Sequence, residues 1–103
     1  MKIEITVVTT ETLTGKANPK DIEEIKREIC EEFGKIYILS NQYGVWHDKD
    51  GKEYKDISET WQIFTDKPDA EERIKFYADR IKEATKQIAQ LYTIDKETKA
   101  NFS

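Results

Sequence analysis

Apolar residues occupy every second position in several stretches of the chain, which is the period of a half-buried β-strand. Residues 2–10 show this pattern first, with Ile3, Ile5 and Val7 on one side of the segment. Asp50-Gly51 lies between two later β-like runs and predicts a hairpin turn, because Gly readily takes the positive φ that such turns need. The later β-like runs are residues 35–39 and 43–47, a return strand that begins near residues 52–54 and strengthens over 57–65, and residues 88–94.

The run over residues 57–65 offers two alternative inward faces. One side carries Phe64 among polar residues. The other side carries Glu59 together with three apolar residues, Ile57, Trp61 and Ile63. We expect this second side to face the core, which places Glu59 at the edge of the core or in a pair with another charge.

Two further stretches repeat with the period of an amphipathic helix. Asn18-Pro19 is a typical helix start and Gly34 a typical stop, so we predict a helix over Pro19–Phe33. Residues 66–69 open a second helix by the same logic, and it is expected to end around residues 86–87. The second apolar stripe consists of Ala70, Ile74, Tyr77, Ala78, Ile81 and Ala84.

The predicted elements follow the order strand, helix, strand, strand, helix, strand within one domain of 103 residues. Right-handed crossovers place both helices on the same side of the sheet. The sequence therefore predicts a ferredoxin-like α+β sandwich, with a four-stranded antiparallel sheet and two helices on one face.

The overall charge is mildly acidic, at −4, from 21 acids and 17 bases. A broad nucleic-acid surface needs clustered positive charge, so no nucleic-acid partner is expected. Neither a membrane span nor a secretion signal is visible in the sequence, and Cys30 has no second cysteine to pair with. These features favour a cytoplasmic protein with no membrane partner.

His47 is the single histidine and stands beside Asp48 and Asp50. A metal site is imaginable there, but polar residues are expected in a hairpin, and zinc normally needs three or four ligands. We therefore expect no metal. If the chain is an enzyme, His47, Glu59 and Tyr37 are its candidate acid–base groups.

Several well-known sites are missing from the sequence. Gly15-Lys16 lacks the earlier Gly and the following Ser or Thr of a phosphate-binding loop. No aromatic and basic run of the RNA-recognition type occurs on the predicted central strands. The first loop has none of the cysteines that a copper-carrying domain needs. No cofactor is expected on these grounds.

Four aromatic residues are candidates for a partner surface. Tyr43, Trp46 and Tyr54 crowd the hairpin, where they either pack across the strands or form a partner surface. Phe76 projects from the second helix on the side opposite its apolar stripe, among charged residues. A large apolar residue in that position indicates an interface.

The run from Phe33 to Leu39 is followed by the Gly44-Val45-Trp46 step and by the Asp50-Gly51 hairpin ahead of a strand that contains Ser58. Through these residues, the stretch 19–66 resembles a family of small uncharacterised bacterial domains. The chain departs from the family pattern where Asp56 replaces an expected Glu, and again at Glu59, where a basic residue is expected. The resemblance implies a ferredoxin-like fold and no established activity.

Three functions stay open at the level of sequence. The leading hypothesis is a non-catalytic module that binds a protein or a ligand and self-associates, through the open sheet face or through Phe76. The second is a cofactor-free enzyme built from paired ferredoxin-like subunits. The third is a small acidic inhibitor from a mobile element, directed at a basic partner. Fold alone does not choose between them.

Overall fold

A computed structural model of the chain describes residues 1–9, 18–86, 89–95 and 97–102. Within these, the side chains of residues 40–43, 54–56, 89 and 97–102 lie outside the described set. The threonine-rich connection over residues 11–17 also lies outside it. The elements are β1 (Lys2–Val8), α1 (Pro19–Phe33), β2 (Tyr37–His47), β3 (Glu53–Phe64), α2 (Ala70–Thr85), β4 (Ala89–Ile94) and β5 (Glu97–Phe102).

The strands form one antiparallel sheet in the order β2-β3-β1-β4-β5. The first four strands in this order and the two helices make the ferredoxin-like α+β sandwich, so the predicted fold class is confirmed. The core lies between the helices and one face of the sheet. Its residues are Ile3, Ile5, Val7, Ile22, Ile25, Ile29, Trp61, Ile63, Ala70, Ile74, Tyr77, Ala78, Ile81, Ala84, Tyr92 and Ile94.

The fifth strand was not predicted. Residues 97–102 read Glu-Thr-Lys-Ala-Asn-Phe, which has no alternation of apolar residues to indicate a strand. Its position is fixed by pairing with β4 across a tight turn at Asp95, which has a positive φ of 49°. Asp95 also accepts a hydrogen bond from the backbone N–H of Lys2 through Oδ1 (2.7 Å), which ties the turn to the start of β1.

Helix α1 has the predicted bounds. The side chain of Asn18 accepts hydrogen bonds from the first-turn backbone amides of Lys20 (3.1 Å) and Asp21 (3.3 Å), and Gly34 ends the helix with a φ of 87°. Helix α2 ends at Thr85, one to two residues before the predicted end. Lys86 takes the left-handed conformation there, with a φ of 56°, and this non-glycine stop explains why the sequence did not mark the boundary.

The predicted inward face of β3 is confirmed for Trp61 and Ile63, which are fully buried. Glu59 lies at the edge of the core and is paired, as expected. The prediction was wrong for Ile57, which is 37% exposed. Strand β1 pairs with β3 only as far as Ser58, so Ile57 lies beyond the end of the core.

Strands β2 and β3 extend past the rest of the sheet as a two-stranded hairpin arm, residues 43–56. The sequence suggested two separate runs before the turn, whereas β2 is one strand with a bulge between Leu39 and Gln42. Gly51 closes the hairpin loop with a φ of 82°. The loop is further held by Asp48, whose Oδ1 accepts from the amides of Asp50 and Lys52, both at 2.9 Å.

Candidate functional site

The three candidate acid–base residues do not meet. Tyr37 pairs with Gln62 and so lies on the open face of the sheet, whereas Glu59 pairs with Val7 and lies on the helix-covered face. His47 is at the far end of the hairpin arm, with its Nε2 3.6 Å from Oε1 of Glu53. One folded chain therefore does not unite these groups in a single acid–base site.

Glu59 is occupied by local interactions. It accepts a hydrogen bond from the indole Nε1 of the buried Trp61 (2.8 Å), and its Oε1 lies 3.3 Å from Lys26 Nζ. The ammonium of Lys26 also lies 5.5 Å from the centre of the Trp61 ring. Burial alone would lower the pKa of Lys26, but hydrogen bonds to Glu23 and Glu59 outweigh it and hold this pKa above 10.5. Glu59 thus satisfies a buried indole N–H and a lysine.

A second polar cluster joins the two helices at the edge of the core. Arg73 donates two hydrogen bonds to Glu32, from Nε and Nη2, each 2.8 Å long, and the Tyr77 hydroxyl donates a third of 2.7 Å. These bonds, first of all those from Arg73, lower the pKa of Glu32 from its ordinary 4.5 to about 2. A carboxylate held this firmly in its charged form is a structural group and a poor proton carrier.

Phe76 lies over this helix-to-helix cluster. Its ring centre is 4.8 Å from the guanidinium carbon of Arg73 and 5.7 Å from that of Arg80, which pairs with Glu28 at 2.7 Å. The Tyr77 ring meets it edge-on at 5.2 Å. Phe76 is 45% exposed, so it projects as predicted, and it also packs against two arginines. Its role as an interface residue stays a prediction.

The hairpin aromatics are only partly described. Trp46 lies directly opposite Tyr54 in the backbone register, and Tyr43 lies opposite Ile57. The side chain of Trp46 is half-buried, while the side chains of Tyr43 and Tyr54 are outside the described set. Within the described residues, no group of three or more His, Cys, Asp or Glu is placed to hold a metal ion.

A surface cavity of about 280 Å³ lies between the helices. Its lining residues are Asp21, Ile25, Arg80, Glu83 and Ala84. Arg80 is already paired with Glu28, and none of the predicted site residues reaches this cavity. The cavity therefore does not bring the candidate acid–base residues together either.

The open face of the sheet does bring chemical groups together, in a row that runs across four strands. The strand registers align Tyr37 of β2, Gln62 of β3, Glu4 of β1 and Thr93 of β4. Gln62 Nε2 is 3.5 Å from one oxygen of Glu4, and Lys2 Nζ is 3.5 Å from the other. The row thus offers a phenol, an amide, a carboxylate and a hydroxyl on one surface. We call it the open-face row.

Two aromatic rings border one end of the open-face row. Phe64 meets Tyr37 edge-on with 6.0 Å between ring centres. The two rings are 53% and 44% exposed, respectively, so a flat ligand can reach them. Sequence reasoning identified Tyr37 alone. The signal for the others was available, since Glu4 and Gln62 occupy the polar positions of alternating strands, but only the strand register shows that they are neighbours.

No protein-family model matches the chain, and no curated protein matches it either. The resemblance of residues 19–66 to uncharacterised bacterial domains therefore stays a prediction. Two solved structures, both of a phage SAM lyase, are similar to this chain. One is the complex with S-methyl-5′-thioadenosine (TM-score 0.69) and the other is the apo state (TM-score 0.70). Each is 14% identical in sequence and covers 99% of this chain and 88% of the lyase chain.

This likeness shows a shared fold. The phage SAM lyase has the same ferredoxin-like sandwich as this chain. In the part of the chain that the structure describes, neither helix has the length and apolar character needed to cross a membrane.

Proposed function

We propose that this chain is a small enzyme that binds S-adenosylmethionine (SAM) on the open face of its sheet and releases S-methyl-5′-thioadenosine. The observation that carries the proposal is the likeness, over 99% of the chain, to a SAM lyase solved with S-methyl-5′-thioadenosine. At 14% identity this likeness shows a shared fold alone. That SAM is the substrate of this chain is therefore proposed.

The chemistry of the open-face row supports this substrate. The exposed rings of Tyr37 and Phe64 suit an adenine base, because flat bases stack on aromatic side chains. The carboxylate of Glu4, whose side chain is 29% exposed, offers a negative charge to the positively charged sulfur of SAM. Gln62 adds an amide that both donates and accepts hydrogen bonds.

The proposed reaction breaks one bond. S-Methyl-5′-thioadenosine keeps the sulfur, its methyl group and the adenosyl group, so the bond that breaks joins sulfur to the four-carbon amino-acid chain. The bonding electrons stay on sulfur, which loses its positive charge. The carbon that they leave accepts electrons from the fragment's own carboxylate or from water, or else a neighbouring carbon loses a proton and a double bond forms.

The test is a chromatographic assay for S-methyl-5′-thioadenosine after incubation with SAM, together with calorimetric titration of both compounds. We expect product formation with the wild-type chain, and its reduction by at least tenfold in Phe64→Ala and in Glu4→Gln. Phe76→Ala is the matched control, because Phe76 is 45% exposed on a helix while Phe64 is 53% exposed on the open face. This control is expected to retain activity.

Three outcomes would contradict the proposal in different ways. If neither compound binds at about 1 mM and no product forms, the open face is not a SAM site. If S-methyl-5′-thioadenosine binds without turnover of SAM, the chain is a binding module, as the leading hypothesis from sequence held. Equal losses in Phe64→Ala and Phe76→Ala would mean that stability, not the open face, was being measured.

A further inference from the structure

Strand β2 forms one edge of the sheet. In the part of the chain that the structure describes, β3 is its single strand neighbour. An edge strand presents a row of backbone N–H and C=O groups to which another strand can bind. Proteins normally protect such edges with charged residues, especially lysine, with proline or with a bulge, and of these devices β2 has the bulge after Leu39.

The sequence of β2 lacks these protective residues. Its eleven residues, Tyr37–His47, contain no Lys, Arg, Asp, Glu or Pro, although 37% of the whole chain is charged. An even distribution would place about four charged residues in a run of this length. Its neighbour β3 contains Glu53, Lys55, Asp56 and Glu59. The opposite edge strand, β5, is six residues long and contains Glu97 and Lys99.

The same strand exposes three consecutive apolar side chains. Tyr37, Ile38 and Leu39 are 44%, 46% and 43% exposed, and Val45 further along is 49% exposed. Successive residues of a strand point to opposite faces, so a partner that covers only one face leaves part of this set in water. A strand laid alongside β2 would flank the set on both faces and would also pair with the backbone groups on the outer side of β2.

We propose that β2 pairs with β2 of a second copy of this chain, antiparallel and about a two-fold axis at Ile38. The bulge after Leu39 ends the regular segment, which places the axis before it. Each Tyr37 then lies opposite the partner's Leu39, and no charge of β2 faces a like charge. A symmetric pair needs a self-complementary surface, which an uncharged strand supplies. This inference is independent of the SAM proposal.

Light scattering coupled to gel filtration tests the pairing. We expect the wild-type chain to have twice its 12.1 kDa mass, and Ile38→Lys to have the monomer mass. Leu91→Lys is the control, because Leu91 is 52% exposed on the open face but lies in β4, an inner strand. We expect this variant to stay dimeric. Circular dichroism checks that both variants fold.

A cross-linking experiment tests the same pairing without weakening it. In a Cys30→Ala background, Ile38→Cys places one thiol next to its symmetry mate, since directly opposite Cα atoms in an antiparallel pair are about 4.5–5.5 Å apart. Mild oxidation is expected to give a covalent dimer, and Phe76→Cys in the same background is expected not to. A monomeric wild-type chain, a dimer that survives Ile38→Lys, or an Ile38→Cys chain that does not cross-link would each overturn the proposal.

Discussion

Replacing Glu32 by Gln is expected to weaken the contact between the two helices and to change how stability depends on pH. In the folded chain the carboxylate receives three hydrogen bonds, from Arg73 and Tyr77. Glutamine has nearly the same size but no charge, and its single carbonyl oxygen replaces two acceptors. The core beneath the pair is unchanged, so the substitution isolates the polar cluster.

The pKa shift of Glu32 sets the magnitude. A fall from 4.5 to about 2, at 1.36 kcal/mol per pKa unit, corresponds to about 3 kcal/mol of stabilisation by the charged form. The arginine of the pair is 37% exposed, so solvent and salt screen part of this. We therefore expect Glu32→Gln to lower the free energy of unfolding by about 1–2 kcal/mol at pH 7.

The sign of the pH effect follows from the depressed pKa. A carboxylate whose pKa is lower in the folded chain stabilises it fully above about pH 4.5, and this stabilisation is lost as the pH falls towards 2. Urea unfolding of both proteins between pH 7 and pH 2.5 is the assay. The difference between wild type and Glu32→Gln is expected to shrink steadily below pH 4.5.

Glu31→Gln is the matched control. Glu31 is the adjacent residue, 65% exposed, and it pairs with Arg27 within the same helix at 2.9 Å. An exposed pair of this kind contributes about 0.5 kcal/mol or less. If both variants lose the same stability, or if the effect of Glu32→Gln does not change with pH, the helix-to-helix pair does not stabilise the fold as argued.

Three further substitutions test the local structure, each by urea unfolding. Asn18→Ala is expected to lower the free energy of unfolding by about 1 kcal/mol, because α1 loses the side chain that caps its first amides. Ile29→Ala removes a fully buried side chain and is expected to cost about 2–5 kcal/mol. Gly51→Ala is expected to cost about 1 kcal/mol, because its φ of 82° strains a residue with a Cβ although nothing lies within 4 Å of the added atom.

Each of these expectations has a result that contradicts it. An unchanged Asn18→Ala variant would mean that α1 is held by packing alone. The control for Ile29→Ala is Leu91→Ala, because Leu91 is half-exposed. The control is expected to lower the free energy of unfolding by less than about 1 kcal/mol. Equal effects of the two substitutions would argue against the described core. A neutral Gly51→Ala would indicate that the hairpin loop adopts another turn.

The fold was predictable from sequence wherever apolar periodicity and end signals agreed. Asn18 and Gly34 mark α1 at both ends, and the structure has the helix between them. Where no special residue marks a boundary, as at Lys86, the prediction ran past the true end. Strand β5 was missed because backbone pairing with β4 defines it, and that pairing leaves no apolar pattern in the sequence.

The open-face row was less predictable for a physical reason. Glu4 and Gln62 are 58 positions apart in the chain, and each is an ordinary polar residue on its own strand. Only the register between β1 and β3 makes them neighbours, and a shift of one residue would turn one of them to the other face. Sequence patterns report which residues are buried, whereas a surface site depends on alignment between distant segments.

The middle position of β1 in the sheet has a consequence for how the chain reaches its native state. Ile3 pairs with Ile63 on one side and with Ile94 on the other, so β1 depends on partners that lie 60 and 91 positions further along the chain. Closing such distant segments is slow compared with forming the local β2–β3 hairpin. We therefore expect the hairpin to form before β1 is inserted, with β1 exposed in the meantime.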